Sequence, residues 1–69
     1  MMKFADGQLV TSIFFFDGEI IRAGSRMCDT IIVSMENGQM DGLPWFEVWN
    51  DGRCVSKWNA VHIVGVSFS

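Results

Sequence analysis

Five of the seven glycines in this 69-residue chain directly follow Asp or Asn: Asp6-Gly7, Asp17-Gly18, Asn37-Gly38, Asp41-Gly42 and Asp51-Gly52. Both residues of such a dipeptide tolerate positive φ, which two-residue hairpin loops require, so each pair predicts a reversal between strands. The pairs divide the chain into segments of strand length. Within them, Val, Ile, Thr, Phe and Trp total 24 residues whereas Ala and Leu total five, so local propensity agrees with the punctuation. Strands are expected over 9–16, 19–23, 30–36, 45–50, 53–58 and 61–68, with little or no helix beyond one short turn. Pro44 falls at a strand entrance, where its missing N–H does least harm. A chain this short allows one domain, residues 1–69, and leaves no room for a deep catalytic cleft. A meander of five or six antiparallel strands is expected to close into a small SH3-like barrel, because closure removes edges that invite aggregation.

The stretch 13–38, IFFFDGEIIRAGSRMCDTIIVSMENG, resembles the first three strands of an Sm/Lsm-like small β-barrel. It has an apolar strand, a Gly turn, a bent strand with a second glycine at Gly24, and a third strand led by Asp29. The closing VSKWNAVHIVGV resembles that family's last two strands, with a corner at Asn59-Ala60. Two departures stand out: no N-terminal helix is indicated, and the extra segment 39–49 lies where that family has a short connection. In its acidity, its tryptophans and its Asp-Gly punctuation, the chain also resembles small phage-encoded accessory proteins, among them inhibitors and ligand sponges directed at host defence. That resemblance implies a viral protein acting in the host cytoplasm.

Charge limits the partners. Five Lys and Arg against eight Asp and Glu leave a net charge of -3, and the cations Lys3, Arg22, Arg26, Arg53 and Lys57 are spread along the chain. Proteins that hold long nucleic acids neutralise phosphates with dense basic patches, so such a partner is not expected. The longest apolar run, 13–16, is far below the roughly 20 residues of a membrane span. No signal-peptide pattern opens the chain, and two cysteines are few for a disulfide scaffold; a cytoplasmic location with reduced thiols is expected.

No catalytic or metal constellation emerges. Cys28, Cys54 and His62 are the only soft or nitrogen ligands, without a CxxC pair or a second histidine. His62 lies in the apolar run 61–66. Asp6, Asp17, Asp41 and Asp51 are accounted for by turn chemistry, and Asp29, Glu19, Glu36 and Glu47 are scattered. Neither an enzyme nor a cofactor is expected.

Two hairpins present candidate binding surfaces. With Asp51-Gly52 as a two-residue loop, alternation places Phe46 and Val48 with Val55 on one face, and Trp45, Glu47 and Trp49 with Cys54, Ser56 and Trp58 on the other. A bulged loop over 50–52 would instead set Cys54 opposite Val48. In the first hairpin, an Asp17-Gly18 loop places Ile13, Phe15 and Ile20 on one face and Phe14, Phe16 and Ile21 on the other. Both faces are apolar, and one small barrel buries only its inner face. Cover by the segment around Phe4 or self-association through Phe14, Phe15 or Phe16 would resolve this. These features lead to a non-catalytic, self-associating module that sequesters a small anionic, nucleotide-like ligand or inhibits a host protein. Trp45, Trp49 and Trp58 would supply stacking, and Arg22, Arg26 and Arg53 the positive charge. An Sm-like RNA-binding ring and a structural subunit of a larger particle are the alternatives.

Overall fold

A computed structural model describes residues 5–35 and 44–68. The chain is all-β. Its strands are β1 (Leu9–Val10), β2 (Ser12–Phe15), β3 (Ile20–Arg22), β4 (Thr30–Ser34), β5 (Trp45–Asn50), β6 (Arg53–Asn59) and β7 (Ile63–Ser67), with one 3₁₀ turn, Ala60–His62, before β7. They form two antiparallel sheets, ordered β1-β4-β5-β6 and β3-β2-β7. The expected turns Asn37-Gly38 and Asp41-Gly42, the end of the third strand at Glu36, and Phe4 lie outside the described residues, as does the 39–43 part of segment 39–49.

Alternation in β4 and β5 builds the core. Ile31 and Val33 point inward from β4, Phe46 and Val48 from β5, and the register pairs Ile31 with Val48 and Val33 with Phe46. Val10, Ile13 and Cys28 complete the buried set, with Phe15, Ile21, Ala23, Ala60, Ile63 and Val66 packed around it.

The single strand expected over 9–16 instead serves both sheets. In a regular antiparallel strand, the N–H and C=O of one residue point to the same neighbour. Thr11 divides them: its N–H donates to the Ser67 carbonyl at 2.8 Å, while its C=O accepts from the Ala23 N–H at 2.9 Å. The chain therefore bends at Thr11, β1 pairing with β4 and β2 with β3 and β7.

Both hairpin readings are modified. At 51–52 the two-residue loop forms, with Asn50 opposite Arg53 and positive φ at Asp51 (53°) and Gly52 (75°), as a type I′ turn requires. Beyond it, Trp49 pairs with Cys54 but Val48 pairs with Ser56, leaving Val55 as an extra residue. One inserted residue reverses the alternation of everything that follows. Trp58 therefore lies opposite Phe46, on the core side of the sheet, not beside Trp45 and Trp49; Val55 is 51% exposed. At the first hairpin, Ile13 pairs with Ile21 and Phe14 with Ile20, and the Phe15 N–H donates to the Glu19 carbonyl. The loop is thus three residues, 16–18, with Gly18 at φ 92°. Phe16 is taken into the turn, where it is 73% exposed, and the expected partners are exchanged. Ile13, Phe15 and Ile21 turn inward, while Phe14 and Ile20 share the outer face.

The last strand starts later than expected. Asn59 caps the 3₁₀ turn by accepting the Val61 N–H on Oδ1 at 3.0 Å, and the Ala60 N–H donates to the Pro44 carbonyl.

The sheets do not close into the expected barrel. β3 is only three residues long, and Gly24, at φ 84°, turns the chain away into the tight 24–28 loop. There the Ser25 hydroxyl donates to the Arg22 carbonyl at 2.7 Å, and Ser25 and Cys28 form an isolated bridge. β3 thus ends one sheet and β6 ends the other, and no ladder joins them.

Candidate functional site

Where closure fails, a groove runs between β3 and β6. Its first section, about 380 Å³, has Cys28 and Val48 from the core among its lining, with Ile20, Ile21 and Arg22 on one wall and Val55 and Ser56 on the other; Met27 and Ser25 complete the end. Ile21 continues into a second section of about 310 Å³, shared with Phe15, Trp58, Asp17 and Glu19. A third section, about 290 Å³, adds Phe16, Val61 and His62. The first two sections are mainly apolar, and the third is mixed. Arg22 is among the residues of the first section, and Asp17 and Glu19 are among those of the second.

Trp58 is held in place from two sides. Its ring meets Phe15 edge-on, with centroids 5.0 Å apart at 71°, and its Nε1–H donates to Ser56 Oγ at 3.2 Å. Such edge-to-face pairs contribute about 0.5–1.5 kcal/mol beyond simple burial. Asp17 is likewise fixed, because its Oδ1 accepts the Glu19 N–H at 2.9 Å.

The other two tryptophans lie on the outer face of the larger sheet. Trp49 Nε1–H donates to Glu47 Oε1 at 3.1 Å, Glu47 Oε2 lies 4.0 Å from Lys57 Nζ, and that ammonium sits 5.5 Å from the centre of the Trp45 ring. The carboxylate and ammonium that flank the indoles are thus already engaged with them. Trp45 Nε1 is buried and has no hydrogen-bond partner among the described residues.

The residues singled out from sequence therefore divide into groups. Arg22 and Trp58 line the groove, at different sections. Arg26 is exposed in the 24–28 loop, and Arg53 is exposed beside the 51–52 turn, whose Asp51 N–H donates to Asp29 Oδ2 at 2.9 Å. Trp45 and Trp49 belong to the outer row. Phe14 faces out with Ile20, Phe15 enters the groove and Phe16 stands at its far end. Ile21, Met27 and Val55 are site residues that sequence reasoning missed. The apolar character of both faces of the first hairpin pointed towards Ile21 alone.

No three of His, Cys, Asp and Glu converge as a metal site among the described residues. His62 enters the far end of the groove near Asp17, with no Ser or Cys lining that section. Among the described residues no helix is long and apolar enough to cross a membrane.

The two free thiols differ in environment: Cys28 is buried and Cys54 exposed. Burial pushes the Cys28 thiol up from the ordinary value, opposed in part by a backbone hydrogen bond at Thr30 and reinforced a little by the nearby Asp29 carboxylate. Iodoacetamide should alkylate Cys54 in the native protein and reach Cys28 only on unfolding; equal rates at both thiols would contradict the burial. Because the folded-state value is the higher one, the stability contributed by Cys28 is complete below the ordinary thiol pKa. It is lost as pH rises from there through the raised value. In a Cys28→Ala variant, that decline on the alkaline side should shrink.

Comparison with protein-family models, with curated proteins and with solved structures finds no match to this chain. The likeness to Sm-like barrels thus stands at the level of a small all-β fold with two antiparallel sheets.

Proposed function

We propose that the chain is a non-catalytic binding module that grips and sequesters a protein partner through the groove between β3 and β6. The observation that carries this reading is the groove itself, a largely apolar channel left open between two terminal strands, with Arg22 among the residues of one section and Asp17 and Glu19 among those of the next. Ile20, Met27, Val55 and Trp58 on its walls are all exposed large hydrophobics, and contiguous patches of that kind on soluble proteins mark interaction sites. A protein segment with complementary charges can satisfy both sections at once.

The reading as a store for a small, nucleotide-like anion draws less support. An anion stacked on Trp58 would meet Asp17 and Glu19, while Arg22 lines a different section of the groove. An RNA-binding ring draws less still, since the net charge is -3. An inhibitor of a host protein, of the kind small phage-encoded accessory proteins provide, would use such a groove directly.

Photo-crosslinking in the cells that make the protein tests this. A photoreactive residue at Met27 or Val55 should yield an adduct with one discrete protein, lost on Arg22→Glu, whereas the same residue at Leu9 on the outer face should not. Adducts arising only from Leu9 would overturn the proposal.

A further inference from the structure

We infer that the occupant of the groove is itself a β-strand: an extended segment of the partner, basic at its N-terminal end and acidic at its C-terminal end, that adds antiparallel to β6. This rests on the groove reading above and specifies its chemistry. β6 is the terminal strand of its sheet, so every second residue directs its N–H and C=O away from β5. Those groups favour a partner that brings its own backbone, the mode in which main-chain hydrogen bonds supply affinity and alternate side chains fill pockets.

Two strand edges border the groove, and their lengths choose between them. β6 has seven residues and β3 three, so β6 offers the longer template, and antiparallel pairing is the more stable arrangement. Charge then fixes the polarity of the occupant. β6 runs from the Arg22 end, at Val55, to the carboxylate end, at Trp58. An antiparallel occupant therefore begins beside Asp17 and Glu19, where a cation is favoured, and finishes beside Arg22, where an anion is favoured. Lys57, a residue type that often guards edge strands, does not block the site, because it is held across the outer face against Glu47 and Trp45. The bulge at Val55 limits flush pairing to the stretch that follows it, which disfavours indiscriminate edge-to-edge association.

The probe is a capped synthetic peptide, Lys-Val-Thr-Val-Thr-Val-Asp, titrated into the full chain and followed by NMR. It should shift the methyl signals of Ile21 and Val55 and slow exchange of the outward-facing β6 amides at least tenfold. A peptide with the terminal charges exchanged should bind at least tenfold more weakly, and one N-methylated at alternate amides should not bind. If the N-methylated peptide binds as well as the parent, strand addition is overturned while the groove remains the site. If the parent leaves the Ile21 and Val55 methyls unmoved at millimolar concentration, strand addition is again overturned. The groove reading is then judged separately by the crosslinking experiment.

Discussion

Phe46→Ala is expected to unfold the domain. Phe46 is 1% exposed and sits between Val33 and Trp58 in neighbouring strands, within a core of seven buried hydrophobic residues among those described. Truncating a buried phenylalanine costs about 3–5 kcal/mol, because the cavity left behind adds to the lost transfer energy. The whole stability of a chain this size is roughly 3–10 kcal/mol at the usual value per residue. The loss is therefore comparable with the total. Circular dichroism on urea titration should show no cooperative transition for Phe46→Ala, or one shifted to far lower urea. Val55→Ala, in contrast, removes methyls from a half-exposed bulge and should move the midpoint only slightly. A Phe46→Ala protein that unfolds at the wild-type midpoint would mean that the core is assembled differently.

The contrast between Phe46 and Val55 also marks where the sequence is legible. In 45–50, Glu47 between Trp45 and Trp49 marks their face as the outer one and leaves Phe46 and Val48 for the core, and Asp51-Gly52 supplies the positive φ that its turn needs. The bounds of β5 and the two-residue loop follow directly. The all-β class follows from the same punctuation. Register fails where alternation is missing. Phe14, Phe15 and Phe16 are equally apolar, so nothing local distinguishes a two-residue loop from the three-residue loop that forms, and the inward set could not be assigned. At Cys54-Val55 either residue suits an inward position, and the bulge leaves no mark. The bend at Thr11 depends on partners at Ala23 and Ser67, distant in sequence and unmarked by Gly or Pro. The open seam is a long-range outcome of this kind as well. It arises from the brevity of β3 and the turn at Gly24, while the bulge at Val55 determines which tryptophan reaches it.

That assignment yields the most discriminating result expected from the groove. Trp58→Ala should retain the fold and lose the partner, whereas Trp49→Ala should retain both. Trp58 is 36% exposed and packs edge-on against Phe15, so its removal costs part of one aromatic contact but leaves the seven buried residues in place. At an interface, a tryptophan anchoring a desolvated groove is the kind of residue whose truncation costs about 2 kcal/mol or more, roughly a thirtyfold loss of affinity. Trp49 occupies the opposite face, where its Nε1–H is satisfied by Glu47 and no groove wall depends on it. Its replacement should change affinity by less than about twofold, or 0.4 kcal/mol. Trp58→Phe, which restores an aromatic ring against Phe15, should recover much of the binding; a purely electrostatic site would show no such rescue. Calorimetric titration against the protein identified by crosslinking measures all three variants, with circular dichroism confirming that each is folded. If Trp49→Ala abolishes binding while Trp58→Ala leaves it intact, the contact surface is the outer row of Trp45, Glu47, Trp49 and Lys57. The open seam would then be only the point at which two short sheets fail to meet.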